Sequence, residues 1–347
     1  MTSETNLDEG SCQGWRAVVP ATSANLGCAF DCGGLALKLY LKALFIPSQS
    51  SDLTLRYQGK TPERFPLDSS NLVLRALRFG AERLGAQVPG GHLLVESAIP
   101  VGVGLGSSAA SVVAGLLLAT RLAGRALASL PASTEQLLRW AEELEGHVDN
   151  AAAAYHGGLV LALSNGVDRP ITLKTAFPEA IRLVIVSPAI AVPTHDARGV
   201  LPQAYPRADA VHTLQRTALF AATCFSGRFD LFPELFDDRL HHPYRGKLVP
   251  GIESCLRLRH PGLLGTAISG SGSSVIAFVT RGHDHDEGGA ESELEIARAL
   301  QECFAKEGTA SEVLFTSADN QGASVTREAV PLEERVGSVL QRARRAR

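Results

Sequence analysis

The sequence has little net charge, few cysteines and no long apolar run, and each shortage excludes a class of protein. Its 347 residues carry a formal net charge of −3. This balance gives no overall attraction to nucleic acid or to an acidic membrane, so we expect neither as a partner. An anionic ligand would therefore have to be held by local groups.

The most apolar stretch, at residues 109–119, is much shorter than the roughly 18–20 residues that a membrane span needs. The first 15 residues are polar and acidic, and they lack the basic and apolar regions of a secretory signal. The six cysteines form no C-x-x-C pair, which favours reduced thiols over a disulfide scaffold. Together these features predict a soluble, cytoplasmic protein.

Length and composition predict a folded chain of two domains. A hydrophobic fraction of 45% with a small net charge excludes disorder, and a single core rarely grows past about 250–300 residues. Turn signals between residues 165 and 180 place the boundary there. The expected domains are residues 1–170 and residues 171–347. After residue 180, strands and helices alternate, which indicates an α+β sandwich.

Hydrophobic periodicity predicts the individual elements. Strands are expected at residues 15–20, 34–46, 53–57, 92–99, 157–164, 181–186, 275–279 and 313–316, the last of these ending the series. Helices are expected at residues 71–84, 109–122, 134–145, 208–224, 251–260 and 291–307, with Asp68, Ser69 and Ser70 as caps for the first. Residues 266–269 are expected to begin a loop. Residues 283–287 are interpreted as a solvated loop and the basic residues 342–347 as a frayed end.

The most informative stretch is PVGVGLGSSAAS at residues 100–111. Its alternating glycines let a ligand approach the main chain closely, and the alanine-rich helix that follows begins with free N–H groups and a positive dipole end. This combination favours a polyphosphate-binding loop over a glycine-rich connection that is merely capped by serine. No Gly-Lys-Ser/Thr follows, which excludes a Walker A loop, and Ser107 stands where a dinucleotide fingerprint needs glycine.

Two further stretches accompany this loop, PATSANLGCAFD at residues 20–31 and SGSGSS at residues 269–274. In this order, the three stretches resemble the signature motifs of the GHMP small-molecule kinases. Within that superfamily, the homoserine kinase family has segments similar to three others here: EGHVDN at residues 145–150, YHGG at residues 155–158 and PYRGKLVP at residues 243–250. The matches run from about residue 16 to residue 325. Two positions depart from the motifs, because Ala29 replaces a glycine and Ser273 a proline.

The resemblance implies a two-domain α+β fold, with a ribosomal-protein-S5-like N-terminal domain and a ferredoxin-like C-terminal domain. It implies ATP-dependent phosphorylation of the side-chain hydroxyl of L-homoserine, a step toward threonine. ATP would be the co-substrate and Mg²⁺ the metal ion, and the site would lie in the groove between the domains. The resemblance also allows a homodimer, although no residue pattern identifies an interface.

The resemblance further assigns roles to single residues. ATP contacts are implied for the following positions: Asn71, Pro100, Val101, Gly102, Val103, Gly104, Leu105, Gly106, Ser107, Ser108, Ala109 and Ala110. Magnesium prefers hard oxygen ligands, here Glu145 with Ser107, or with Ser108 as the alternative hydroxyl. The residues expected nearest the chemistry are Glu145, Ser108, Asn150 and Thr194. The loop at residues 269–274 is expected to steady the phosphate loop.

An amino-acid substrate carries a carboxylate, which suits the planar fork of arginine. The resemblance implies that Arg198 and Arg245 bind this carboxylate. It implies that the other parts of the substrate are bound by Asn25, Asp31 and His147. The plain alternatives are turn formation for Asn25 and Asp31, a surface position for each arginine, and a solvated helix end for Glu145.

Several questions stay open on the sequence. The general base is either Asp149 or absent. A loose transition state does not require early deprotonation, so we expect Asp149 not to be a strong base. The acceptor could also be a sugar, a mevalonate-type alcohol or shikimate, and a non-catalytic nucleotide-binding regulator is a further alternative. The two arginines and the EGHVDN segment favour an amino acid.

Overall fold

The computed structural model describes residues 11–123, 133–164, 169–280 and 288–331. Its strands are β1 (Ser11–Asn25), β2 (Ala29–Pro47), β3 (Leu53–Gly59), β4 (Gly91–Ser97), β5 (Leu159–Leu163), β6 (Ile171–Thr175), β7 (Ile181–Pro188), β8 (Leu263–Ile268), β9 (Val275–Thr280), β10 (Ser311–Thr316) and β11 (Ser324–Pro331). Its α-helices are α1 (Leu72–Arg83), α2 (Ser107–Ala123), α3 (Thr134–Glu145), α4 (Asp149–His156), α5 (Thr194–Gly199), α6 (Arg207–Ser226), α7 (His242–Arg245), α8 (Ile252–Arg257) and α9 (Gly288–Ala305).

The first sheet has seven strands, and β2 is its centre. It follows the order β11-β1-β2-β4-β3, and β2 also pairs with β5, which pairs with β6. The length of β2 allows this, because residues 41–47 pair with β4 while residues 33–35 pair with β5. Among the strands that the structure describes, only β3 and β4 run parallel. The expected mixed α+β architecture is confirmed.

The second sheet has four antiparallel strands in the order β10-β7-β9-β8. Helices separate β7 from β8 and β9 from β10, so the chain follows the β-α-β-β-α-β course of a ferredoxin-like unit. One face of this sheet packs on α8 and α9 through Val184, Ala277 and Leu300. The opposite face joins the main core through Leu183, Ile276 and Phe278.

Helix α2 lies at the centre of the main core. Every residue from Ala109 to Ala119 is buried, which explains why this stretch is apolar on all sides rather than amphipathic. Gly80 and Gly115 let α1 approach α2 closely, since an added Cβ at Gly115 would lie 2.4 Å from the Val73 carbonyl oxygen. This packing fixes the start of α2, where the phosphate loop ends.

Most predicted elements are present, with four corrections. The cap of α1 is Asn71, whose Oδ1 accepts from Val73 N at 3.0 Å and Leu74 N at 3.2 Å, whereas Asp68 binds Ser70 instead. Residues 266–269 do not begin a loop, because Leu263–Ile268 forms β8 on the edge of the second sheet. The helix expected at 251–260 ends at Arg257. The last strand is β11, which pairs with β1 and not with its neighbours in sequence.

Three short helices, α4, α5 and α7, were not predicted. The expected loop at 283–287 and basic end at 342–347 lie outside the described residues. The proposed division at residue 170 stays a prediction. In the structure, β6 continues the first sheet beyond that residue, and β11 returns to it.

Candidate active site

A single cleft gathers most of the residues predicted for the site, with the phosphate loop along one wall and α5 and α7 contributing to the other. The predicted residues that line it are Asn25, Asp31, Asn71, Val101, Gly102, Gly104, Leu105, Gly106, Ser107, Ser108, Ala109, Glu145, His147, Asn150, Thr194, Arg198 and Arg245. Three predicted residues do not line it. Val103 and Ala110 are buried in the core, and Pro100 precedes the lining.

The phosphate loop needs glycine for two different reasons. Gly102, Gly104 and Gly106 all have positive φ, between 67° and 81°, a region that other residues enter only with strain. At Gly104 an added Cβ would also lie 2.1 Å from the Ser269 carbonyl oxygen, and at Gly106 it would lie 1.9 Å from Thr22 Oγ1. Gly104 is therefore pressed against the third motif and Gly106 against the first.

Hydrogen bonds complete this junction of the three motifs. Ser269 Oγ donates to Gly104 O at 2.7 Å and lies 2.9 Å from Ser23 Oγ. Asn25 Nδ2 donates to Gly270 O at 2.7 Å. The expectation that the third motif steadies the phosphate loop is confirmed by these contacts. Both polar atoms of the Asn25 side chain thus have a partner, because its Oδ1 accepts from Asp31 N at 2.9 Å.

Glu145 ends α3 opposite the first turn of α2, where Ser108 Oγ donates to Glu145 Oε1 at 2.5 Å. Burial raises the pKa of Glu145, and the Ser108 hydrogen bond opposes that rise. The hydroxyl that contacts Glu145 is therefore that of Ser108, the alternative to Ser107 in the expected metal-binding pair. These two oxygen-bearing side chains are the hard donors that Mg²⁺ prefers.

The EGHVDN segment turns back into the cleft and begins α4. Asp149 is 2% exposed, and its Oδ1 lies 3.0 Å from His147 Nδ1 and accepts from Asn150 N at 2.8 Å. This hydrogen bond to Asp149 raises the pKa of His147, and burial opposes it. Asn150 is oriented on both sides, because its Oδ1 accepts from Thr22 Oγ1 at 2.7 Å and its Nδ2 donates to Asp149.

Two arginines line the far side of the cleft in different states. Arg198 on α5 donates to both carboxylate oxygens of Asp31, at 3.0 and 3.3 Å, in a partly exposed pair. Arg245 is 3% exposed and donates only to main-chain oxygens, Ala197 O at 3.1 Å and Gly270 O at 3.2 Å. No carboxylate of the described residues lies within 4 Å of Arg245. Burial lowers the pKa of Arg245, yet a guanidinium stays charged.

Two buried histidines, His241 and His242, lie next to Arg245 behind the wall of the cleft. His241 lies 2.8 Å from Gly27 O through Nε2 and stacks on Phe30 with ring centroids 5.1 Å apart. Arg245 covers Phe30 at 5.2 Å. Burial lowers the pKa of His241 to about 4 and that of His242 to about 3. Both rings are therefore neutral scaffold groups rather than proton donors at neutral pH.

Sequence reasoning missed several lining residues, among them Arg64, Phe65, Pro66, Leu72, Ser111, Leu144, Val192, Pro193, Gly270 and Ser271. Arg64 is the most notable, because its Nη1 donates to Val101 O at 3.2 Å and so reaches the start of the phosphate loop. The turn signals around Pro62 and Pro66 mark this segment as a loop, but nothing in the sequence places that loop beside residues 101–102. Asn71 lines the cleft too, although its side chain serves as the helix cap.

Comparison with known proteins shows the family of this chain. Residues 71–158 match the GHMP kinases N terminal domain, and residues 219–309 match the GHMP kinases C terminal model. Homoserine kinase of Solibacter usitatus is 38% identical over 311 residues, which cover 89% of this chain and 96% of that protein. Homoserine kinase of Deinococcus radiodurans is 35% identical over 307 residues, 88% and 95% of the two chains.

The crystal structure of homoserine kinase from Cytophaga hutchinsonii has a TM-score of 0.78 to this chain, with 28% sequence identity, and the match covers 94% of this chain and 100% of that one. The chain therefore belongs to the GHMP kinase family. Within that family it belongs to the homoserine kinases, to which it is similar over most of its length.

Proposed function

We propose that this chain transfers the terminal phosphoryl group of ATP to the side-chain hydroxyl of L-homoserine. The observation that carries the choice of acceptor is Arg245, a buried cation that lines the cleft without a carboxylate partner among the described residues. A buried, unpaired charge is costly, and an anion that enters the cleft removes that cost. The carboxylate of an amino acid supplies such an anion.

Arg198 and Asp31 extend this recognition to both charged groups of the substrate. Arg198 presents a planar donor fork beside Arg245, which suits the same carboxylate. Asp31, held to Arg198 at 3.0 Å, offers a carboxylate to the substrate ammonium. An uncharged alcohol or a sugar would leave these three groups unused.

The nucleotide would occupy the phosphate-loop wall. The loop glycines and the start of α2 supply main-chain N–H groups for the phosphates, and Arg64 adds a cation at the start of the loop. We further propose that Ser108 and Glu145 hold Mg²⁺ together with the phosphates. The described residues include no cluster of three His, Cys, Asp or Glu side chains that could hold a metal ion alone, which fits an ion that keeps water and phosphate ligands. When bound, the ion offsets phosphate charge.

No strong general base is needed in this proposal. The Oδ1 of Asp149 is already engaged by His147 and by both nitrogens of Asn150. Asn150 and Thr194 are the polar side chains that we assign to the acceptor hydroxyl and the reacting phosphate. Positioning and charge stabilisation then carry the reaction, as they do in other phosphoryl transfers.

We also propose a cytoplasmic location, where ATP is available. In the described part of the chain the five cysteines Cys28, Cys32, Cys224, Cys255 and Cys303 are free thiols, which suits a reducing compartment. None of the helices that the structure describes is both long enough and apolar enough for a membrane span.

The test is an ADP-release assay with MgATP and a panel of acceptors. The panel pairs L-homoserine with two truncated analogues, 3-amino-1-propanol, which lacks the carboxylate, and 4-hydroxybutyrate, which lacks the ammonium. We expect turnover of L-homoserine and a loss of at least roughly a hundredfold in kcat/KM for each analogue, since each leaves a charged group unpaired. Equal turnover of 3-amino-1-propanol, or preference for galactose, mevalonate or shikimate, would overturn the proposed acceptor. ATP binding without turnover of any acceptor would favour a regulator.

A further inference from the structure

Arg245 is held at the cleft by contacts that leave part of its guanidinium free. Its Nε donates to Ala197 O at 3.1 Å and its Nη1 to Gly270 O at 3.2 Å. Its Nη2 donates to none of the residues that the structure describes. Two neutral carbonyl oxygens compensate a buried charge only in part, so the cation needs a further stabilising group.

The aromatic ring of Phe30 supplies that group. The guanidinium carbon of Arg245 lies 5.2 Å from the centroid of the Phe30 ring, within the distance of about 6 Å over which a ring face attracts a cation. The ring contacts the flat face of a guanidinium, whereas carbonyl and carboxylate oxygens bind the N–H groups at its edge. Phe30 therefore stabilises the charge without occupying the donors that a substrate carboxylate needs.

The Phe30 ring is fixed by the start of α7 and by the first motif. It stacks on His241 with an angle of 23° between the ring planes, and His241 Nε2 lies 2.8 Å from Gly27 O. The residue after Phe30, Asp31, donates its main-chain N–H to Asn25 Oδ1 at 2.9 Å. Because the chain is held before and after it, Phe30 can set the position of the cation that lies over its ring.

Phe30 and Asp31 are neighbours near the start of β2, and each contacts one of the two arginines of the cleft. A substrate carboxylate has to replace Asp31 at the N–H groups of Arg198. It does not have to replace Phe30, because the ring occupies none of the N–H groups of Arg245. The contact between Phe30 and Arg245 can therefore persist unchanged when the substrate binds.

We propose that Phe30 is a positioning residue for the reaction, whose ring holds the guanidinium of Arg245 with N–H groups free for the acceptor carboxylate. This inference rests on the proposed function, because it takes Arg245 to be the group that binds that carboxylate. Two consequences follow from it. The charge distribution of the ring matters as well as its size, and it matters only for acceptors that carry a carboxylate.

The test replaces the ring and compares acceptors with and without a carboxylate. Phe30→Leu keeps an apolar side chain but removes the ring face, so kcat/KM for L-homoserine and for 4-hydroxybutyrate should fall roughly five- to thirtyfold, mainly through KM. For 3-amino-1-propanol, kcat/KM should change by less than about twofold, as should KM for ATP, because neither measures binding of a carboxylate. Phe30→Tyr keeps the ring and should behave as the wild type.

Pentafluorophenylalanine in place of Phe30 separates the charge of the ring from its shape, and it keeps the test decisive if Phe30→Leu folds poorly. Fluorine withdraws electrons from the ring face that attracts the cation, so we expect the same selective loss with little change in packing. Phe229→Leu is the matched control and should change no parameter. Phe229 is also half-buried and packs on the ring of Phe232 at 4.9 Å, away from the residues that line the cleft.

Equal losses on all three acceptors would show that Phe30 only supports the fold, and would overturn the proposal. Full activity of the leucine and fluorinated variants would overturn it too, because the two carbonyl oxygens would then suffice to hold Arg245. Failure of the proposed function looks different, since the wild type itself would not prefer L-homoserine to 3-amino-1-propanol. Where that preference holds, Arg245→Ala should abolish it, and the fluorinated ring should have no selective effect in that background.

Discussion

At the scale of single residues, we propose that the pair of Arg198 and Asp31 prepares the cleft for a substrate with two charges. Each group satisfies the other while the cleft is free of substrate, at 3.0 Å, and each can exchange its partner for the substrate group of opposite charge. Arg245 has no such partner among the described carboxylates and is held instead by main-chain oxygens. The cleft thus combines one exchangeable arginine with one fixed arginine.

This difference predicts the behaviour of Arg198→Ala. Loss of one charge-assisted contact, worth about 1.5–3 kcal/mol, should lower kcat/KM for L-homoserine by roughly ten- to a hundredfold and leave KM for ATP unchanged. With 3-amino-1-propanol the variant should show no loss relative to the wild type, because that acceptor has no carboxylate and its ammonium no longer competes with Arg198 for Asp31. Arg228→Ala, which breaks the exposed pair with Asp230, is the control and should change neither parameter. An equal loss on both acceptors would contradict the assignment.

Two buried serines of the third motif predict opposite effects on stability. Ser269 Oγ donates to the partly buried Gly104 O and lies 2.9 Å from the buried Ser23 Oγ, so Ser269→Ala removes a partner from both groups and should lower the free energy of unfolding by about 1–3 kcal/mol. Ser273 is 0% exposed and its hydroxyl has no hydrogen-bond partner in the part of the chain described. Ser273→Ala should therefore be neutral or stabilising. Urea unfolding of the two variants measures both values, and a comparable loss for each would refute this account.

At the scale of elements, the phosphate loop shows why its glycines are not equivalent. Gly104→Ala adds a Cβ 2.1 Å from the Ser269 carbonyl at a φ of +81°, so the loop must separate from the third motif. We expect a loss of about 3 kcal/mol or more in the free energy of unfolding and severe loss of ATP affinity. Gly85→Ala, at a similar φ but with nothing within 4 Å, should cost only about 1–2 kcal/mol. Denaturant unfolding and nucleotide titration of both variants separate steric conflict from backbone strain.

Sequence patterns predicted the elements whose signals are local. The apolar run of α2 and the periodicity of α1 and α3 each lie within one window of residues, and these helices are present where expected, although Asn71 and not one of the three residues before it caps α1. Strand β11 has no such signal, because its pairing with β1 joins residues more than 300 positions apart. Helix α4 was not predicted, because four consecutive alanines show no alternation of apolar and polar residues that would mark a helix face, although all four are buried.

The residues of the site also divide into those that a sequence motif marks and those that only the fold brings to the cleft. Motif residues such as Ser108, Glu145 and Arg245 could be named as candidates from the sequence because they lie in segments that resemble known family motifs, and the structure places all three in the cleft. Arg64 could not, since only the fold brings it to Val101. The sequence also could not show that Arg245 lacks a carboxylate partner among the described residues, because that depends on which acidic side chains the fold brings near it. Pro100, Val103 and Ala110 were included because they belong to the motif, yet two of them face the core.

At the scale of the whole molecule, the wall of the cleft that carries Arg245 packs on a buried polar centre formed by Asp238, His241 and His242. The carboxylate of Asp238 accepts from the main-chain N–H groups of Leu240, His241 and His242, so its oxygens are already engaged. His241 faces Gly27 O and His242 accepts from Ile268 N. Burial and the nearby Arg245 cation favour the neutral form of each imidazole, and they are opposed by the Asp238 carboxylate, whose Oδ2 lies 3.7 Å from His241 Nε2.

This centre should make the fold sensitive to acid. Burial lowers the pKa of His241 to about 4 and of His242 to about 3, against about 6.5 when unfolded. The free energy of unfolding is therefore not reduced by these histidines above about pH 6.5. It falls as the pH drops toward the folded pKa values, because the unfolded chain then binds more protons than the folded protein. Near pH 5 these two groups should contribute a slope of roughly 2.5 kcal/mol per pH unit to the free energy of unfolding. His147, whose pKa is raised, is protonated in both states at that pH and adds nothing.

Urea unfolding at pH 7, 6 and 5 measures this slope directly. His241→Gln keeps a donor for Gly27 O and removes one titrating group, so its slope between pH 6 and 5 should fall by about one proton, or roughly 1.4 kcal/mol per pH unit. The control is His195→Gln, since the His195 side chain is 98% exposed and should leave the slope unchanged. If wild type and His241→Gln lose stability equally between pH 6 and 5, then His241 is already protonated in the folded protein. That result would disprove a neutral His241 behind the wall of the cleft.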